Sequence, residues 1–196
     1  ARLRVDLPAA DRYRPGDNLY TASLVALDVK TGTMRWFHQV TPHDIWGYDL
    51  ASPPILIDVP VNGATVPGVA LATKSGWMYF FNRVTGEVIR RSEGFVPQTN
   101  LFPQPTDAKG EIAVPGEAGG ANWPPVSFSP ETGWVYVAAS HFPSRFSLEP
   151  DAKGQLVNVL SFPKGVETYG MLSAIDPATG KLMWQERMTM PFAGGV

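Results

Sequence analysis

The strongest constraint in this sequence is a hairpin signal that returns four times. LVALDVKTGTMRW (Leu24 to Trp36), MYFFNRVTGEVI (Met78 to Ile89), VSFSPETGWVYV (Val126 to Val137) and LSAIDPATGKLMW (Leu172 to Trp184) all align on a Thr-Gly pair. In each, an alternating apolar run leads into Thr-Gly and a second run follows. Three of the four place Asp or Asn three residues before the Thr, where its side chain can bond the turn backbone, and the glycine can take a positive φ. Gly32, Gly86, Gly133 and Gly180 recur at roughly 45–55 residues, the interval of one propeller blade. Further strands are expected from PPILIDV (Pro53 to Val59) and GVALATK (Gly68 to Lys74), which would complete four-stranded units. No sustained 3.6-residue apolar stripe occurs, so helix content should be low. The expected fold is all-β: a β-propeller of four-stranded blades, present over residues 1–196 as a partial, about four-blade arc of a larger ring. A β-sandwich with similar turns is the alternative. An arc would expose strand edges and blade faces, so the remaining blades are expected in the same or another chain.

Composition narrows the function classes. Sixteen basic and 18 acidic residues give a net charge of −2, which argues against a nucleic-acid binder. No stretch approaches the roughly 20 apolar residues of a membrane helix. Cysteine is absent, which removes disulfides, thiolate nucleophiles and zinc–thiolate sites from this chain. Glycine and proline, 19 each, are scattered between apolar runs as turn punctuation. There is no signal-peptide pattern and no initiating methionine, so the expectation is a processed chain or a piece of a longer one.

The pattern Ala-x-Asp-x-x-Thr-Gly-x-x-x-Trp, met at Ala26, Asp28, Thr31, Gly32 and Trp36 and again at Ala174, Asp176, Thr179, Gly180 and Trp184, resembles the tryptophan-docking motif of the quinoprotein alcohol and sugar dehydrogenases. RPGDNLYTASLVALD (Arg14 to Asp28), TPHDIWGYD (Thr41 to Asp49), ATKSGWMYFFNRVTGE (Ala72 to Glu87) and GGANWPPVSFSPETG (Gly119 to Gly133) resemble segments of that family in the same order. The resemblance spans nearly the whole chain and implies the middle-to-late blades of an eight-bladed ring. It also implies pyrroloquinoline quinone (PQQ) and a Ca2+ or lanthanide ion on the ring axis. The substrate would be an alcohol or aldose, with a periplasmic location and a periplasmic electron acceptor.

The family's catalytic base comes from a segment like His-Asp-x-Trp-Asp-Tyr. His43, Asp44, Ile45 and Trp46 match, but Gly47 stands where the base is expected. Glycine can neither take a proton nor bind a metal. Asp49, two residues on, would share a face with position 47 in an extended strand and is the candidate metal ligand. A turn or surface aspartate is the other reading. His43 and Asp44 are expected to shape the floor of the site rather than take the proton. Lys74, in TKSGW, stands where the family keeps a cation that stabilises charge on the reducing quinone. Its alternative is a surface lysine at a hairpin turn. Asn122 and Trp123 in GGANW are candidate cofactor contacts, or members of a turn leading into a strand. Asp17 is read as a turn residue and His141 as a loop histidine.

Two other functions remain open on the sequence: a non-catalytic propeller that binds proteins or scaffolds an assembly, and a PQQ-binding protein without turnover. Fold alone does not choose among them.

Overall fold

The structure, a computed structural model, describes residues 16–196. Arg14 and Pro15, the start of the first family-like segment, lie outside the described residues. The described chain is all β, with thirteen strands and no helix. Strands β1 (Ser23–Leu27) and β2 (Met34–Gln39) form a two-stranded antiparallel sheet around the Gly32 turn. Strands β3 (Ile55–Val61), β4 (Ala64–Ala72), β5 (Met78–Asn82) and β6 (Val88–Arg91) form a four-stranded meander in that order. The sequence places its two extra strands correctly, with their ends displaced by a few residues.

The rest of the chain is less regular than the repeat implies. Strands β8 (Ser127–Ser129), β9 (Trp134–His141), β12 (Tyr169–Ile175) and β13 (Leu182–Met188) make a second four-stranded sheet. Strands β7 (Glu111–Ala113), β10 (Ser144–Pro150) and β11 (Leu156–Ser161) pair separately, in the order β11-β10-β7. The Gly133 and Gly180 turns therefore belong to one blade, at its first and last hairpins. The third repeat is not a blade of its own. Two full blades and the β1-β2 pair lie in series, and the three-stranded sheet is an excursion from the second blade. The partial arc stands, with a different assignment of repeats to blades.

Packing follows strand periodicity. On β4, Ala70 and Ala72 enter one core while Val69 and Leu71 enter another; on β5, Met78 and Phe80 face the first and Phe81 the second. The first core joins this blade to Val126, Val135, Val137, Ala139 and Ile175 of the next. The second joins it to Leu24 and Trp36 of the β1-β2 pair. A sheet buried on both faces needs near-continuous apolar runs, which is why GVALA and MYFF lack a polar partner at alternate positions.

The docking motif is visible in atoms. Trp36, at the end of one hairpin, donates its indole N–H to the carbonyl of Arg83 in the next blade's turn, at 3.0 Å. Its ring lies where a Cβ on Gly86 would stand, 2.7 Å from the nearest ring atoms. The second repeat has Arg90 in place of the tryptophan. Its guanidinium donates to the carbonyl of Pro177, the equivalent turn position one blade later, at 2.6 Å. Arg90 thus does by charge-assisted hydrogen bonding what an indole does elsewhere. Gln185 adds a bond from the following blade back to the carbonyl of Phe95, at 3.0 Å. In the third repeat the corresponding residue is Val137, fully buried in the core, consistent with a hairpin that faces no neighbouring turn.

Candidate functional site

Three loops converge on one side chain. The first is Thr41 to Leu50, which follows β2 and forms no strand. Gly47 has φ of 76°, so the extended alternation that would align positions 47 and 49 is absent. What brings them together is Lys74. Its ammonium donates to the carbonyl of Gly47 at 2.9 Å and to Asp49 Oδ1 at 2.5 Å. It also reaches Glu117 Oε1 at 3.3 Å.

Lys74 sits in the β4–β5 turn and is 3% exposed, so it is not a surface lysine. The turn is rigidly tied. Thr73 Oγ1 lies 2.9 Å from Ser75 Oγ, the Gly76 N–H donates to the Thr73 carbonyl, and Gln98 donates to the Ser75 carbonyl. A buried lysine is costly unless paired, and here two carboxylates and a carbonyl surround it. Asp49 keeps its side chain 56% exposed, so the cluster opens to solvent on the aspartate side.

The third loop connects β7 to β8 and carries Glu117 and GGANW. Gly120 packs against the backbone of Lys74; a Cβ there would fall 2.1 Å from the Lys74 carbonyl oxygen. The Ala121 N–H donates to the Thr73 carbonyl. Asn122 follows directly, and its Oδ1 is buried with no hydrogen-bond partner among the described residues. Such an atom calls for a donor. Trp123 turns its indole outward, 72% exposed.

Beneath the first loop the excursion sheet supplies the floor. Ile45, Trp46 and Tyr48 pack with Ala113, Phe146 and Leu160. Trp46 donates to the carbonyl of Pro103 at 2.8 Å and meets the Phe102 ring edge-on. Asp44 accepts from the Trp46 N–H at 3.0 Å. Burial pushes its carboxyl above the ordinary range, against donors from the backbone of Tyr48, Trp46 and Gly47. Tyr48 is fully buried, and its phenol is pushed well up by burial and by the nearby charges of Asp44 and Glu117. These residues shape the floor.

The remaining sequence candidates lie elsewhere. His43 Nδ1 is 2.7 Å from the Gly16 carbonyl and 3.3 Å from Asn18 Nδ2. Asp17 is exposed and uses its carbonyl to accept from Gln39 and from the His43 N–H, as a turn residue would. His141 ends β9, stacked on Tyr169 at 4.5 Å, with its pKa lowered chiefly by burial. Glu117 is the residue that sequence reasoning missed. Its only signal is a carboxylate two positions before GGANW.

Sheets joined by turn-to-strand docking, with loops meeting at a buried cation, define a quinoprotein-type propeller. The family model for the PQQ-dependent glucose/ethanol/alcohol dehydrogenase β-propeller domain matches residues 4–103. The quinohemoprotein alcohol dehydrogenase of Comamonas testosteroni is 33% identical over 92% of this chain and 29% of its own length. The quinoprotein alcohol dehydrogenase PedH of Pseudomonas putida is 32% identical over 96% of this chain and 36% of its own. The crystal structure of the Comamonas testosteroni enzyme superposes with a TM-score of 0.76 at 32% identity, covering 91% of this chain and 31% of the other. The chain belongs to the PQQ-dependent dehydrogenase β-propeller family. It spans about a third of the length of these relatives.

Proposed function

We propose that the chain supplies the quinone-binding arc of a PQQ-dependent dehydrogenase that oxidises alcohols or aldoses in the periplasm and passes electrons to an acceptor there. The observation that carries this reading is Lys74, buried in a fixed turn with its ammonium at the meeting point of three loops. The residues present fit an anionic quinone. Lys74 offers a cation, Asn122 its amide N–H donors, and Gly120 lets the loop lie against Lys74.

PQQ, when bound, supplies the two-electron acceptor. The protein's part is to hold it and to stabilise the charge that develops on it. Lys74, whose ammonium here donates to Gly47, Asp49 and Glu117, would become a donor to the quinone oxygens, a contribution that would grow as negative charge accumulates. Asn122 would orient the ring, and Trp123, with its exposed indole, would offer it an apolar face. Asp49 is the candidate ligand for Ca2+ or a lanthanide. Among the described residues no group of three or more His, Cys, Asp or Glu could hold a metal. Asp49 would thus be one ligand of several.

Titration of the complete protein with PQQ, in Ca2+ or La3+, tests this through quenching of tryptophan fluorescence. Saturable binding is expected, with Lys74→Met weakening it about 100-fold, or about 2.7 kcal/mol. Absence of binding, or equal binding by K74M, refutes the reading in favour of a scaffold. Gly47 gives weight to a second reading, PQQ binding without turnover. Bound PQQ with no reduction of an artificial acceptor would select it.

A further inference from the structure

Gly47 stands where the family resemblance implies a carboxylate, yet the space beside it is not empty. A Cβ built on Gly47 would lie 2.9 Å from Cγ of Glu117, and 3.8 Å from both its Cδ and Oε1. The carboxyl carbon of an aspartate lies only about 1.5 Å, one carbon–carbon bond, beyond its own Cβ. The Glu117 carboxylate therefore stands in the neighbourhood of the group that position 47 lacks, having arrived from the opposite loop. Glycine at 47 and glutamate at 117 are sterically complementary: the methylene of one uses the room left by the other.

The surroundings equip Glu117 for chemistry. Its N–H donates to Ser144 Oγ at 3.0 Å, and Ser144 is fully buried at the start of β10. The excursion sheet thus fixes the Glu117 backbone. Lys74 holds Oε1 at 3.3 Å, while Oε2 has no partner among the described residues. The side chain is 28% exposed, which leaves it reachable by a small molecule.

The geometry points to Glu117 as the relocated base of the dehydrogenase, and this rests on the PQQ-dependent function proposed above. The alcohol O–H bond breaks and Glu117 takes the proton. The C–H bond breaks with its electron pair, which leaves as hydride for the quinone. A C=O bond forms, the alcohol is oxidised by two electrons, and the quinone is reduced by the same two. A positioned base contributes about 10²–10⁴-fold.

The test uses the complete protein loaded with PQQ, comparing E117Q, E117A, G47D and the double variant G47D/E117A. E117Q keeps the shape and removes the base. It should lower kcat at least 100-fold while the PQQ affinity, read by fluorescence, and KM stay within threefold. G47D alone should bring no gain, because its Cβ displaces the Glu117 methylene. G47D/E117A should recover at least tenfold over E117A, since the carboxylate returns from the other loop into freed space. Unimpaired turnover by E117Q overturns the proposal. So does a fall in PQQ affinity that matches the fall in kcat, since Glu117 would then merely hold Lys74. A double variant no better than E117A, with PQQ still bound, overturns it too, as does a PQQ-loaded unaltered protein that does not turn over. Failure of the unaltered protein to bind PQQ defeats the proposed function itself and this proposal with it.

Discussion

Replacing Gly86 by alanine isolates the energy of blade docking. Two costs arise at this position. Its φ is 79°, and an L-residue held there loses about 1–2 kcal/mol. Its new Cβ would also fall 2.7 Å from two ring atoms of Trp36, an overlap of the kind that costs about 1–3 kcal/mol. Gly133 provides the control. Its φ is 73°, but nothing lies within 4 Å of its Cβ. Gly133→Ala should therefore carry the backbone cost alone. Urea unfolding of the complete protein, followed by tryptophan fluorescence, should show G86A less stable than G133A by about 1–3 kcal/mol. A double-mutant cycle sharpens the comparison. In a Trp36→Ala background the steric part has no target, so G86A should fall to the cost of the control. Equal losses for G86A and G133A, or an unchanged loss in the W36A background, would refute docking as the source of the constraint.

The other two predictions concern residues that stand in for, or sit beside, family positions. Arg90→Met removes the charged donor to the Pro177 carbonyl and should cost about 1.5–3 kcal/mol in the same unfolding assay. Arg90→Trp should lose less, because an indole N–H can serve the same carbonyl, and equal losses would contradict the assignment. Asp44→Asn should stabilise the protein at neutral pH, since burial raises the carboxyl's pKa in the folded state. The folded protein then binds more protons than the unfolded one above the ordinary value of 3.8, so stability falls as pH rises through the window up to the raised folded value. The gain from D44N should thus be largest above that window and vanish below about pH 3.8 in thermal melts across pH.

The fold was legible where the signal is local. Asp/Asn-x-x-Thr-Gly is a turn wherever it occurs, and its three instances are the last hairpins of blades or of the β1-β2 pair. The fourth turn, at Gly133, is a first hairpin, and its Thr-Gly pair alone does not say so. The distinction lies in strand order, set by β12 returning to pair with β9 after the three-stranded excursion. Val137 at the tryptophan position was the one available hint. In the site, the turn containing Lys74 could be placed from its Ser-Gly pair, and its burial makes it the centre of the cluster. An extended strand would put positions 47 and 49 on one face, but a positive φ at Gly47 bends the chain there instead. Glu117 could not be found by spacing. Its link to Gly47 is a contact across loops far apart in sequence, and residue types alone do not report a methylene filling the space over a glycine.

The docking contacts also impose an order on synthesis. Each joins two unlike surfaces, a donor at the end of one hairpin and a turn on the following blade, so the contacts run head to tail and close only as a ring. In the two contacts that reach a following Thr-Gly turn the donor leaves the ribosome before its acceptor, whereas the Gln185 bond to Phe95 runs the other way. Trp36 precedes Arg83 by 47 residues, and Arg90 precedes Pro177 by 87. At about 5–20 residues per second, the indole waits roughly 2–9 s and the guanidinium roughly 4–17 s. The excursion that supports Glu117 therefore nearly doubles the interval between donor and acceptor for Arg90 relative to Trp36. A charged, water-tolerant arginine in place of an indole suits that longer wait.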